Sequence, residues 1–230
     1  IIPCYNEELC VESTCKRLLE VLKDLIDKQK ITPDSYLYLV DDGSIDNTWN
    51  LIEKLHSENS LIKGQKFIRN YGNQKALIAG LEGVRSLGCD CVVSIDADLQ
   101  QDELAIEKFL DEYQKGYDIV LGIRNDRKTD GFFKKTTAVM FYKIMNLLGA
   151  KIAMNHSDYR LVSKHALDIL ELYPEKALFL RGVFHELGLK TSTVHFNVKP
   201  RFAGSSKFNF MSLMGLAFNG ITSFCIVPVR

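Results

Sequence analysis

Apolar positions in the first half of the chain follow two alternating rhythms. Val11, Cys15, Leu18, Leu19, Leu22, Leu25 and Ile26 recur at helical spacing and predict one face of a long first helix. Between helical stretches lie short apolar runs of strand character: YLYLV at 36–40, GQKFI at 64–68, CVVSI at 91–95 and YDIVLG at 117–122. Leu51, Ile52 and Leu55 mark a second helix, with Asp46 or Asn47 as its N-cap. Residues 73–87 and Leu104 to Tyr113 predict a third and a fourth. Strands alternating with helices imply an α/β fold, a mostly parallel central sheet with helices on both faces. After Gly122 the alternation fades; 131–150 and 164–172 look helical, and TSTVHFNV at 191–198 alternates like a strand. One domain over residues 1–207 is the simplest division.

Residues 208–230 stand apart. From Phe208 to Val229 no residue is charged, yet Asn209, Ser212, Asn219 and Ser223 form a polar stripe beside Phe210, Met211, Met214, Ala217, Phe218 and Ile221. That pattern suits an amphipathic juxtamembrane helix, with Pro228 and Arg230 at the start of a transmembrane span. A helix packed on the core competes with it.

Charge narrows the field little: 29 basic residues balance 29 acidic ones, so no global field points to nucleic acid. The six cysteines contain no CxxC pair, which argues against a zinc site and suits thiols in a reducing compartment. The first residues show no signal peptide, and IIPCYNEE opens in mid-strand, as a trimmed fragment would.

In open parallel sheets the ligand crevice lies at the carboxyl ends of the strands. Three polar clusters fall there: PCYNEE, DDGSIDNT and DADLQ. Asp96 and Asp98 leave an extended chain on the same side, and two close carboxylates ionise together when a cation screens them. Magnesium or manganese shared with phosphate oxygens fits; a solvated strand end, with Asp102 capping a helix, is the plainer reading. Asp41 and Asp42 have the chemistry to accept from a base or ribose, or to form an Asx turn around Gly43. In RNYGNQKAL, Asn70, Gly72 and Lys75 either present a helix N-terminus to phosphate or form only a strand-to-helix turn. His156 is a weaker metal candidate, and Lys134 and Lys135 suit lipid headgroups or a solvated helix face equally. Neither a dinucleotide-binding GxGxxG nor a GxxxxGK[ST] loop is present, and no Ser–His–Asp arrangement is evident.

Seven segments in order, IPCYNEE, VDDGSIDNT, RNYGNQKALIAG, SIDADLQ, SDYRLVSK, FLRG and RFAGSSKF, resemble the family 2 glycosyltransferases. The likeness is closest to the polyprenyl-phosphate group, which includes dolichol-phosphate mannose synthases and bactoprenol glucosyltransferases. It implies the nucleotide-diphospho-sugar transferase (GT-A, Rossmann-like) fold, Mg2+ or Mn2+, and inverting transfer of a hexose from a UDP-glucose or GDP-mannose type donor to polyprenyl phosphate. A family 2 enzyme acting on a glycan or other soluble acceptor is the alternative.

By the same resemblance, Pro3, Tyr5, Glu7, Asp41 and Asp42 flank base and ribose, with Lys75 on the donor side. Asp96, Asp98 and Gln100 surround the metal and diphosphate. Asp158 and Arg160 supply an acceptor-side acid and its neighbouring arginine, and Arg160, Arg181 and Ser206 face the acceptor phosphate. Arg201, Ser206 and Lys207 close over the phosphates. A membrane-associated enzyme with its catalytic domain facing the cytoplasm follows, its partners being the nucleotide-sugar, the lipid and the membrane surface; a homo-oligomer is left open. One departure is visible: Gln101, Asp102 and Glu103 stand where the family often has Pro-Pro after DADLQ and one residue.

Overall fold

The computed structural model describes residues 1–125, 156–172 and 180–199. In chain order they form β1 (Ile2–Cys4), α1 (Val11–Asp27), β2 (Leu37–Asp41), α2 (Thr48–Glu58), β3 (Ile62–Lys66), α3 (Asn73–Ser86), β4 (Cys91–Ser94), α4 (Ala105–Gln114) and β5 (Ile119–Arg124). There follow β6 (His156–Ser163), α5 (Lys164–Glu171), α6 (Leu180–Glu186) and β7 (Thr191–Phe196). Two strands sit about two residues from their predicted places: β3 starts at Ile62 and β5 ends at Arg124.

Strands β1, β2 and β3 pair in parallel, and β4-β6-β5-β7 form the second ladder. Backbone bonds from Ile1 N to Val93 O (2.7 Å) and from Ile95 N to Ile1 O (3.0 Å) join the two in parallel sense. The order is therefore β3-β2-β1-β4-β6-β5-β7. Only β6 runs against its neighbours, pairing antiparallel with β4 and β5, while β7 is parallel to β5. The mostly parallel sheet is as expected, but β6 was absent from the periodicity. Its sequence HSDYRLVS mixes charges with apolar residues, because Tyr159 and Leu161 face one core while Asp158 and Arg160 share the other face with Val162.

Adjacent residues of single strands feed opposite cores, as a two-residue period requires. Leu39, Val120 and Leu161 face α1, α2 and α4, whereas Val40, Ile119 and Val162 face α3, α5 and α6. On the first face Tyr159 stacks between Phe109 (centroids 4.6 Å apart) and Phe196 (5.1 Å). Its buried hydroxyl donates to the Asp102 carbonyl at 2.8 Å, and burial pushes that phenol's pKa up. Of the predicted caps, Asn47 holds the N-cap position of α2 without a side-chain cap bond; Asp46 Oδ1 instead accepts from Thr48 N (3.0 Å). Among the described residues no helix is long and apolar enough to cross a membrane. Residues 131–150 and 208–230, with Lys134 and Lys135, lie outside the described residues.

Candidate active site

The loops after β1 and β2 are zipped together. Asn6 N donates to Ser44 Oγ (2.8 Å), Glu7 N to Thr48 Oγ1 (2.8 Å), Ile45 N to Asn6 Oδ1 (2.9 Å) and Asn47 N to Glu8 Oε2 (3.0 Å). Parallel pairing of β1 with β2 brings the two loops side by side, so that short polar side chains of one reach backbone amides of the other across 38 to 41 residues. Pro3 lies in β1, with Tyr5 and Glu7 half-buried just beyond it. Gly43 has φ +68°, and a Cβ there would sit 2.2 Å from the Arg69 carbonyl carbon, so only glycine fits where the β2 and β3 loops touch.

Asp41 and Asp42 are both buried. Asp41 Oδ1 accepts from the Ser44 hydroxyl and amide, while Oδ2 is buried without a hydrogen-bond partner. Asp42 spreads its carboxylate over the amides of Tyr71 (2.7 Å) and Gly72 (2.8 Å), where φ is +93°. Burial raises the pKa of both acids, against the hydrogen bonds that favour the anion. Asp42 thus holds the turn entering α3, a task the sequence reading had not given it; carboxylate oxygens keep further lone pairs for a ligand. Lys75 follows in the first turn of α3, exposed, its ammonium 5.6 Å from the Tyr71 ring centre, with Arg69 at 4.7 Å.

After β4 the chain turns through Leu99 at φ +55°. Asp98 Oδ1 accepts from Gln100 N (3.1 Å), and Thr14 Oγ1 on α1 donates to Ala97 O (2.6 Å). Gln101 clasps Asp96 twice, its Oε1 accepting from the Asp96 amide (2.9 Å) and its Nε2 donating to Oδ2 (2.6 Å). The departure from the family pattern is therefore structural: Gln101 braces the acid, and Glu103 is buried between Arg17 (2.8 Å) and Lys199 (2.6 Å). Burial alone would raise the Glu103 pKa, but the two cationic donors outweigh it and the net shift is down. Asp102 accepts weakly from Leu104 N (3.3 Å) as α4 begins at Ala105.

Asp158 and Arg160 open β6. The ladder pairs Ser94 with Arg160, and continuing that register sets Asp158 opposite Asp96. Because β6 is antiparallel, its start reaches the same edge as the ends of β1, β2 and β4. Asp158 Oδ1 pairs with Arg160 Nη2, and Oδ2 accepts from Gln74 Nε2 (3.4 Å). Arg160 is buried and its guanidinium lies 5.1 Å from the Phe184 ring centre.

The structure thus brings Pro3, Tyr5, Glu7, Asp41, Asp42, Lys75, Asp96, Asp98, Gln100, Asp158 and Arg160 to one edge of the sheet. Arg181 belongs to α6 by its backbone; Arg201, Ser206 and Lys207 lie outside the described residues, as does the His156 side chain. Thr14, Gln74, Gln101 and Glu103 were missed, and only Gln101 and Glu103 carried a signal, by standing in the departure. Asp96 and Asp98 offer an oxygen-only donor set suited to a hard cation. Among the described residues no three His, Cys, Asp or Glu side chains converge to hold a metal ion, so a cation there would take its remaining ligands from a bound phosphate or water.

Residues 1–170 match the family model described as Glycosyl transferase family 2. An uncharacterized glycosyltransferase, YkoT, of Bacillus subtilis (strain 168) is 47% identical over 230 residues, covering 100% of this chain and 68% of that protein. A bactoprenol glucosyl transferase of Shigella phage SfX is 36% identical over 232 residues, covering 100% of this chain and 73% of its own. Among solved structures, glucosyl-3-phosphoglycerate synthase from Mycobacterium tuberculosis aligns with a TM-score of 0.57 at 16% identity, over 97% of this chain and 78% of that one. The fold is GT-A, and the chain belongs to glycosyltransferase family 2.

Proposed function

We propose that the protein transfers a hexose, with inversion, from a UDP-glucose or GDP-mannose type donor to polyprenyl phosphate. The observation that carries this is the similarity to bactoprenol glucosyl transferases across the whole chain. Asp41, Asp42, Tyr5 and Glu7 would hold the nucleoside, and Asp96 and Asp98 with Gln100 the donor diphosphate through Mg2+ or Mn2+. A relative in fold is solved with Mn2+ and uridine-diphosphate-glucose, which supports that ion class. The ion supplies charge neutralisation on the departing diphosphate. Arg201 and Lys207 would add charge-assisted hydrogen bonds to it.

On the acceptor side Arg160, Arg181 and Ser206 would receive the lipid phosphate beside Asp158. A phosphomonoester has its second pKa near ~6, so it arrives largely dianionic at neutral pH and needs little deprotonation. Asp158 therefore orients Arg160 and the attacking oxygen more than it removes a proton. Membrane association with the catalytic domain facing the cytoplasm is the arrangement that suits a lipid acceptor and a nucleotide-sugar donor.

The test is transfer of radiolabelled sugar from a panel of UDP- and GDP-sugars to polyprenyl phosphate by the full-length protein in detergent, with Mg2+ or Mn2+ and with EDTA. A lipid-linked product lost with EDTA and in Asp98→Ala is expected. Donor hydrolysis without lipid product from any donor would keep the donor site and sink the acceptor.

A further inference from the structure

Gln74 touches both halves of the acceptor side. Its Nε2 donates to Asp158 Oδ2 at 3.4 Å, and its Oε1 accepts from Leu180 N, the first residue of α6, at 3.3 Å. The amide orientation is dictated by these partners, since a carboxylate only accepts and a backbone N–H only donates. From α6, Phe184 returns to Arg160, which pairs with Asp158. The contacts close into a ring: Gln74, Asp158, Arg160, Phe184, the backbone of α6, Leu180 and Gln74 again. Three elements distant in sequence, α3, β6 and α6, meet in it.

We propose that Gln74 is a positioning residue for the transfer step, fixing the Asp158 carboxylate against Arg160 and pinning the first turn of α6. Asp158 has its two oxygens held from two directions, one by Arg160 and one by Gln74, so rotation about its terminal torsion is arrested. Pinning Leu180 also fixes the backbone from which the Arg181 side chain departs. Both effects fall on the acceptor side and neither on the nucleoside loops. An error of an ångström in such placement costs rate even where every reacting group is present. The inference rests on the reading of Asp158 and Arg181 as acceptor-side residues.

The test uses the full-length protein in detergent and Gln74→Met, which keeps the length and removes both hydrogen bonds, with Gln74→Glu as a second variant that keeps the acceptor for Leu180 and sets a like charge against Asp158. Hydrogen exchange of the peptide over 180–186 should speed up in Gln74→Met and stay near wild type in Gln74→Glu, while peptides from β1 and α1 are unchanged in both. The kcat for transfer to polyprenyl phosphate should fall roughly tenfold or more in both, as loss of a hydrogen bond to a charged group allows, with donor KM unchanged. In an Asp158→Asn background Gln74→Met should add little further loss.

Unaltered exchange over 180–186, unaltered kcat, a weakened donor KM, or full additivity with Asp158→Asn would each overturn the proposal. Absence of lipid product from the wild-type protein would instead sink the acceptor reading. In that case the exchange arm still decides the Leu180 contact, and donor hydrolysis takes the place of transfer in the rate comparison.

Discussion

The proposed nucleoside side and the proposed acceptor side of the site are built in different ways. Around β1 and β2 the two loops are held to each other by many short polar side chains bonding to the facing loop's backbone, such as Ser44 to Asn6 and Thr48 to Glu7, 38 and 41 positions apart. Around β6 the site is held by a buried ion pair, a glutamine bridge and an arginine over an aromatic ring, between residues up to 106 positions apart. The first scheme spreads its stability over many small contributions, each near 1 kcal/mol. The second concentrates it in a few groups whose desolvation is costly once a partner is lost.

If that contrast is right, the largest single effect lies at Arg160. Arg160→Met takes from the half-buried Asp158 carboxylate its pairing with a buried guanidinium, and a loss near the lower end of roughly 3–5 kcal/mol is expected. Denaturant midpoints measure it; a loss under about 1 kcal/mol would remove the distinction between the halves. Next comes Gly43→Ala, where positive φ and the Arg69 backbone both oppose a side chain. We expect about 2–3 kcal/mol, with weaker nucleoside diphosphate binding by calorimetry.

Glu103→Gln comes third, at about 1–2 kcal/mol near pH 7, because its donors Arg17 and Lys199 are partly exposed and screened. The folded-state pKa of Glu103 lies below its ordinary value, so its contribution is complete above the unfolded pKa of ~4.3 and is lost as pH falls through the folded value. Thermal melts of Glu103→Gln and wild type should therefore differ at pH 7 and converge as pH drops below about 4. A gap that widens with acid would reverse the assignment. Last comes Ser44→Ala, at the lower end of about 1–2 kcal/mol, which removes the acceptor for Asn6 N and the hydroxyl donor to buried Asp41 but leaves Thr48 and Asn6 in place.

This contrast also explains what the sequence disclosed. PCYNEE, DDGSIDNT and DADLQ were legible because each is a contiguous polar turn directly after an apolar strand. Helices α1 to α4 were legible because each lays a continuous apolar face on the sheet. The β6 strand was not, since Asp158 and Arg160 interrupt its alternation where the site begins. Gln74 was hidden for a related reason. Nothing in QKALIAG separates a solvent-facing glutamine from one aimed across the sheet edge; only the packing of α3 beside β6 and α6 decides it. Thr14 likewise has no local signature, and its meaning comes from Ala97, 83 residues away.

The pairing of Ile123 with His156 has a consequence for how such an enzyme diversifies. Strand β5 ends at Arg124 and β6 begins at His156, at adjacent points on the edge where chemistry is proposed. A segment whose ends are already held together by the ladder can lengthen or change composition at an entropic cost that grows only with the logarithm of its length. New acceptor preferences could thus be grafted between two neighbouring strands, while the nucleoside-facing loops and the hydrophobic layers beneath them carry on undisturbed.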